Sequence, residues 1–120
     1  MRRKECERDA AFAWEVLKNS IYSTVSMVCP DGTPYATPVN IIGDEVYNAL
    51  YFHCAGAGER WELLKNGAPV CVTAVSTATL LPNQFTTAYR SAMFRGRAQV
   101  VTDEGEKMKA MLLLLSLIHI

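Results

Sequence analysis

Several function classes are excluded by what this sequence lacks. It has no excess of basic residues, because 12 Lys and Arg balance 12 Asp and Glu, whereas a nucleic-acid-binding surface needs a basic excess. The four cysteines form no Cys-x-x-Cys pair, and the two histidines give no zinc-like spacing with them. We therefore expect no nucleic-acid partner, no metal, and free thiols in a reducing compartment.

Long apolar segments are also scarce. The charged residues 1–8 are followed by no apolar stretch typical of a signal peptide. The longest apolar run, residues 111–120, is shorter than the roughly 20 residues that span a membrane. We expect a cytoplasmic protein with no membrane partner. Half of the residues are apolar, which suffices for the core of one domain.

The pattern of apolar residues predicts three helices and five strands. A helix begins after Asp9, and a second occupies 59–65. A third begins at a capping box formed by Asp103 and Glu106. The predicted strands are 21–28, 35–42, 46–54, 69–80 and 86–101.

Turn signals join most of these strands closely. We therefore predict a mainly β protein with flanking helices, whose antiparallel sheet closes or partly closes into a barrel. Gly43 to Glu45 is predicted to be a turn. Pro38 indicates an edge strand or a bulge, and Gly96 indicates a bend or bulge in the last strand.

One segment has the features of an anion site. A strand ends near His53, a glycine loop follows, and a helix carries Arg60 in its first turn. Glycine lets backbone N–H groups approach an anion, a helix N-terminus favours phosphate, and arginine binds phosphate oxygens with two N–H groups. The alternative is an ordinary strand–loop–helix connection with a solvated arginine.

Two further segments offer polar groups for a planar ligand. Pro38, Val39 and Asn40 combine a flat apolar wall with an amide, but an edge strand with a surface asparagine has the same pattern. Tyr89, Arg90 and Ser91 alternate along a strand, so Tyr89 and Ser91 share one face and Arg90 points to the other. Arg90 could instead reach a neighbouring subunit or a carboxylate.

His53 and Cys54 are candidates for chemistry. The ordinary pKa of histidine, about 6.5, suits proton transfer near a redox cofactor, and a thiol beside a histidine and a helix start can be reactive. Their structural alternatives are a hydrogen-bonded histidine and an inert buried thiol.

Taken in order, these segments resemble the pyridoxamine 5′-phosphate oxidase-like FMN-binding split barrels, most of all the branch that includes nitroimidazole-resistance proteins. The matching stretches are Asp31-Gly32-x-Pro34-Tyr35, Pro38-Val39-Asn40, Tyr51-Phe52-His53-Cys54-Ala55, Gly58-x-Arg60, Leu64-x-Asn66, Val70-Cys71-Val72, Tyr89-Arg90-Ser91 and Gly96-Arg97-Ala98. They extend over roughly residues 1–112, so the set is specific although each motif alone is weak.

The resemblance implies a homodimer of split barrels with two FMN molecules at the interface. It implies that Pro38, Val39 and Asn40 line the isoalloxazine, that His53, Cys54 and Ala55 lie along the ribityl–phosphate side near the ring, and that Arg60 holds the phosphate. Tyr89, Arg90 and Ser91 would approach the flavin from either subunit. Relatives continue with further helix and strand, so residues 1–120 are expected to be one C-terminally truncated domain, or to end in a few non-native residues.

Three functions compete at this point. The first is an FMN-dependent oxidoreductase acting on a small molecule, which could be a nitroaromatic, a pyridoxine-type phosphate or an unrelated compound, with His53 as the catalytic candidate. The second is a non-catalytic flavin or haem binder for storage or sensing. The third is an interaction domain without a ligand.

Overall fold

A computed structural model describes residues 9–116 of the chain. Cys6, His119 and the last four residues of the apolar C-terminal run therefore lie outside the described residues. The helices are α1 (Ala10–Lys18), α2 (Glu59–Leu64) and α3 (Glu104–Ser116). The strands are β1 (Ser23–Val28), β2 (Pro34–Val39), β3 (Ile42–Asp44), β4 (Ala49–Tyr51), β5 (Ala68–Leu81) and β6 (Thr86–Ala98), with a 3₁₀ turn at Pro82–Gln84.

The strands form two antiparallel sheets. The larger sheet has the order β2-β1-β5-β6, and β3 pairs with β4 in a separate two-stranded sheet. The prediction of a mainly β, antiparallel fold with flanking helices is confirmed, and β2, which contains Pro38, is an edge strand as predicted. Within residues 9–116 the sheets do not close into a barrel.

Helix α1 begins and ends at residues that satisfy its free backbone groups. The Asp9 carboxylate accepts a hydrogen bond from the Phe12 N–H at 3.0 Å, which confirms the predicted cap. At the other end, the Asn19 side chain donates to the Glu15 carbonyl at 2.9 Å. Val16 and Leu17 on the buried face are each only 2 % exposed and pack against the inner face of the larger sheet.

Several predicted strand boundaries are wrong. Residues 35–42 do not form one strand, because the chain leaves the larger sheet after Val39 and starts β3 at Ile42. Gly43 was predicted to lie in a turn, but it belongs to β3 and pairs with Leu50 of β4. The turn lies at Glu45–Asn48, where Asn48 adopts a left-handed φ of 53°. The strand predicted at 46–54 is only β4, three residues long.

The predicted irregularity at Gly96 is also wrong. Gly96 pairs in regular register with Val70, whereas the register of the β5–β6 ladder shifts between Val75 and Thr77. The shift follows the last pairing of β1 with β5, at Ala74. Beyond that point β5 has only β6 as a partner, so a third strand no longer constrains its register.

Trp14 joins α1 to both sheets. Its ring lies 5.2 Å from the ring of Phe94 on β6, measured between centroids. On β3, a Cβ placed on Gly43 would lie 2.8 Å from Trp14 Cζ3 and 2.9 Å from Leu17 Cδ2. Only a residue without a side chain fits here, so Gly43 permits α1 to pack closely on the smaller sheet.

Helix α3 starts at the predicted cap but uses its glutamate differently. The Asp103 carboxylate accepts from the Glu106 N–H at 2.8 Å. The Glu106 carboxylate, however, accepts from the Tyr51 hydroxyl at 3.1 Å. No helix within residues 9–116 is long and apolar enough to cross a membrane.

Gly43→Ala tests the contact of Trp14 with β3. We expect a loss of about 1–3 kcal/mol of unfolding free energy, because the new methyl group overpacks the site. Gly96→Ala is the matched control, since a Cβ there meets nothing within 4 Å, and its unfolding free energy should change little. Urea denaturation measures both, and equal effects of the two substitutions would contradict the packing described here.

Candidate functional site

The structure contains a large cleft with a volume of ≈ 1260 Å³. It lies between the end of β4 with its following loop, the C-terminal half of β6 and helix α3. Much of its wall is apolar and aromatic, which suits an organic ligand. These residues include Trp14, Leu50, Phe52, Trp61, Phe94 and Met111.

Two of the predicted site residues, His53 and Cys54, line this cleft. They follow β4 by two and three residues, in the loop that leads towards α2. His53 is exposed and has no hydrogen-bond or ion-pair partner among residues 9–116. Cys54 is half-buried, and its thiol donates to the Ala55 carbonyl at 3.4 Å. The imidazole is therefore available to a ligand.

The glycine loop before α2 is open to an approaching ligand. A Cβ on Gly56 or Gly58 would meet nothing within 4 Å, and Gly58 has a φ of +103°, which disfavours other residues. Arg60 is half-buried and has no ion-pair partner in the described part of the chain. It is not among the residues that line the cleft, although Gly56 and Trp61 on either side of it are.

Helix α2 contributes less to anion binding than the sequence analysis predicted for its N-terminus. It has six residues, and its N-cap Gly58 makes no side-chain hydrogen bond. A short helix has a small dipole. The affinity of this segment for an anion therefore depends on Arg60 and on the N–H groups of the loop.

The segment Pro38 to Asn40 lies at one end of the edge strand β2. Pro38 and Asn40 are exposed, whereas Val39 is 6 % exposed and packs in the core. At the opposite end of the strand, the Cys29 thiol lies 4.0 Å from the Glu59 carboxylate at the start of α2. The glycine loop and Asn40 are thus separated by the length of β2, about 20 Å at 3.3 Å per residue.

Tyr89, Arg90 and Ser91 lie on β6, away from the other predicted residues, and all three are exposed. Val39, Ser23, Ala74 and Ala92 form one row across the larger sheet. Three strand spacings of about 4.8 Å separate its ends by about 14 Å. One chain therefore does not bring residues 89–91 together with residues 38–40.

The predictions missed cationic residues that line the cleft. Arg95 and Arg97 lie on β6, and Lys107 lies on α3. Arg97 packs over the turn after α2, where its Nη2 lies 3.2 Å from a Cβ position built on Gly67. The sequence did hold a signal for Arg95 and Arg97. They are two residues apart in a predicted strand, which places both side chains on one face of the sheet.

Helix α3 is held to the smaller sheet by a polar cluster. Lys109 Nζ lies 3.0 Å from Asp44 Oδ2 and 3.8 Å from the centroid of the Tyr47 ring. The hydrogen bond from Lys109 lowers the pKa of the Asp44 carboxyl, and the same bond raises the pKa of Lys109. Burial, and then the Glu106 carboxylate, raise the pKa of Tyr51. This cluster positions one wall of the cleft.

Comparison with known proteins places these features in a family. A family model described as pyridoxamine 5′-phosphate oxidase matches residues 9–119. No protein of curated function matches the sequence significantly.

Two solved structures have the same fold. A candidate 5-nitroimidazole antibiotic resistance protein from Bacteroides thetaiotaomicron is 24 % identical with a TM-score of 0.75, and the match covers 92 % of this chain and 67 % of that protein. A FAD and haem binding protein from Mycobacterium smegmatis is 23 % identical with a TM-score of 0.69, and the match covers 89 % of this chain and 53 % of that one. The chain thus spans about two thirds and about half of the lengths of these two proteins.

The ion pair that holds α3 should make stability depend on pH. A lowered carboxyl pKa contributes stability above the ordinary value of 3.8, lost as the pH falls through the folded pKa. A raised lysine pKa contributes stability below the ordinary value of 10.5, lost as the pH rises through the folded pKa. Lys109→Met should therefore lower the melting temperature most between these two pH values, and least beyond them.

Lys65→Met is the control, because Lys65 pairs with Glu62 at 2.6 Å on an exposed surface where ion pairs contribute little. Melting curves from about pH 3 to pH 11 test the difference. A Lys109→Met effect that stays constant over this range would show that the contact is not ionic.

Proposed function

The chain belongs to the pyridoxamine 5′-phosphate oxidase family, and from that premise we propose that it is an FMN-binding oxidoreductase acting on a small molecule. Membership confirms the resemblance found in the sequence motifs. FMN, the catalytic activity and the residues assigned below are parts of the proposal. The observation that carries it is the open glycine loop beside Arg60, at the edge of a large cleft with apolar walls.

The residues of the loop fit a phosphomonoester. Gly56 and Gly58 leave open space where a side chain would otherwise stand, so N–H groups of the backbone are accessible. Arg60 is a half-buried cation with no acidic partner among the described residues. A guanidinium in this state gains more from a phosphate than one already paired. Gly56 to Arg60 would hold the phosphate.

The remaining predicted residues suit the other parts of a flavin. Pro38 offers an exposed apolar surface, and the Asn40 amide can both donate and accept hydrogen bonds. His53, Cys54 and Ala55 would lie along the ribityl chain. When bound, the flavin supplies the electron transfer. His53, whose imidazole has no partner within residues 9–116, would deliver or accept a proton at the substrate.

The cleft limits the substrate class. Its aromatic walls, Trp61 and Phe94 among them, suit a flat apolar molecule such as a nitroaromatic. The structural neighbour from Bacteroides thetaiotaomicron is a candidate 5-nitroimidazole resistance protein, which agrees with this choice. A pyridoxine-type phosphate is the alternative substrate, and Arg95, Arg97 and Lys107 on the wall of the cleft are cations that would suit its phosphate.

The proposal includes a homodimer in the cytoplasm. The site residues on β2 and β6 are about 14 Å apart across the sheet of one chain, and a second chain that supplied one of the two sets would bring both against the same part of one flavin. Cys29, Cys54 and Cys71 are free thiols, which suits a reducing compartment.

A second candidate function is a non-catalytic flavin or haem carrier. It is favoured by the accessible imidazole of His53, because histidine is a common axial ligand of haem iron. The neighbour from Mycobacterium smegmatis is a FAD and haem binding protein. Flavin that is reduced by NADPH and reoxidised by a nitroaromatic supports the enzyme, whereas a spectrum of bound haem supports the carrier.

The absorption spectrum of the purified protein tests cofactor binding. We expect flavin bands, and mass analysis of the released ligand should give the mass of FMN. A colourless protein that takes up no added FMN would contradict the proposal.

Arg60→Glu tests the phosphate contact. The reversed charge should weaken FMN binding by about 100-fold or more, since charged contacts to phosphate contribute a few kcal/mol. Arg60→Lys, which keeps the charge, is the control and should lose far less. Quenching of flavin fluorescence gives both dissociation constants, and an unchanged value for Arg60→Glu would remove Arg60 from the site.

His53→Ala separates chemistry from binding. If His53 transfers a proton, turnover should fall by roughly 100-fold while the dissociation constant of FMN changes little. Steady-state kinetics alongside the fluorescence titration measures this. Equal turnover would assign His53 a purely structural role.

A further inference from the structure

We propose that helix α3 is a lid over the cleft, hinged at residues 99–102 and held closed by two side-chain contacts with the smaller sheet. In the open state α3 moves away from the strands, and a ligand enters or leaves the cleft. The inference goes beyond the proposed function, because it concerns access to the cleft and applies to any ligand that binds there.

One face of α3 forms a wall of the cleft. The residues of this helix that line the cleft recur at intervals of three and four positions, so they share one side of the helix. They are Glu106, Lys107, Ala110, Met111 and Leu114. The loop after β4, which carries His53 and Cys54, lines the same cleft. Movement of α3 therefore widens the cleft in which these two candidate residues lie.

The hydrophobic core of the protein is complete without α3. Among the residues that the structure describes, none that forms the core cluster or packs against it lies on this helix. Within residues 104–114 only Ala110 is buried, with 7 % of its surface exposed. In α1, by contrast, both Val16 and Leu17 belong to the core cluster. Packing provides most of the stability of a helix in a protein, so α3 loses little when it leaves the strands.

The segment before α3 permits this movement. Strand β6 ends at Ala98, and residues 99–102 form neither strand nor helix. These residues make no backbone hydrogen bond within the described part of the chain. Loop residues of this kind absorb the φ and ψ changes of a hinge. Asp103 accepts a hydrogen bond from the Glu106 N–H, so this cap moves together with the helix.

Two polar contacts hold α3 against β3 and β4. Lys109 Nζ lies 3.0 Å from Asp44 Oδ2 on β3, and the Tyr51 hydroxyl on β4 donates to the Glu106 carboxylate at 3.1 Å. The Lys109 side chain is 36 % exposed, and water can replace its partner at low cost. Because both contacts join side chains, they break without disturbing either sheet. The closed and open states therefore interconvert by local opening.

The alkylation rate of Cys54 tests the lid, because this thiol is half-buried in the cleft. Fluorescein maleimide is similar in size to a flavin, so it probes the access that a ligand needs. The double variant Tyr51→Phe, Lys109→Met removes both polar contacts and keeps the buried aromatic ring. We expect its Cys54 to react at least about 10-fold faster, since a hydrogen bond to a charged group contributes that factor to the closed state. An unchanged rate would overturn the proposal.

Two controls separate opening of the lid from loss of overall stability. Met108→Gln changes a residue of the same helix that is 62 % exposed and does not line the cleft, so the Cys54 rate should stay constant. Cys29 and Cys71 are half-buried outside the cleft, and their rates should stay constant in the double variant. Equal acceleration of all three cysteines would indicate general unfolding and contradict the lid.

Hydrogen exchange of the wild-type protein is a second test that needs no variant. Relative to their intrinsic rates, the amides of α3 should exchange at least about 10-fold faster than those of α1, because α3 opens alone while α1 belongs to the core. Equal protection of the two helices would overturn the proposal. Neither experiment involves a flavin, so both remain decisive if the chain binds no FMN.

Discussion

The packing of Trp14 against Gly43 determines where the candidate site lies. The smaller sheet has only three residues in each strand, too few to hold its own position. Trp14 fixes it by contacting β3 on one side and Phe94 of the larger sheet on the other. Because β4 leads directly into the loop of His53, the same contact places the imidazole, the glycine loop and the cleft beside the larger sheet.

The acidic and basic side chains of this chain, which has no net charge, differ in what they contact. Four of its acidic side chains serve the fold, since Asp9 and Asp103 cap helices while Asp44 and Glu106 hold α3 to the smaller sheet. Arg60, Arg95 and Arg97, by contrast, have no ion-pair partner in the described part of the chain. Cations left unpaired near a cleft favour an anionic ligand, so a net charge of zero is compatible with an anion site.

Local signals in the sequence predicted most helices and strands correctly. The wrong predictions concern features that depend on contacts between elements distant in sequence. Asp9, Asp103 and the turn after β1 act through neighbours three or four residues away, so their sequence positions are informative. The break after Val39 is different, because it separates the edge strand of the larger sheet from β3 of the smaller one, a tertiary arrangement that no neighbouring residue signals. The candidate residues were grouped by resemblance to a family, and the sequence alone could not reveal that β2 and β6 lie at opposite edges of one sheet.

The central claim is that the loop from Gly56 to Arg60 binds a phosphate. FMN and riboflavin differ only in the phosphate group, so a comparison of their affinities tests this claim most directly. Isothermal titration of the wild-type protein with FMN and with riboflavin compares their dissociation constants under identical conditions. The account predicts that FMN binds about 30-fold or more tightly, since hydrogen bonds to a charged group contribute roughly 2 kcal/mol or more. Equal affinity for FMN and riboflavin would contradict it.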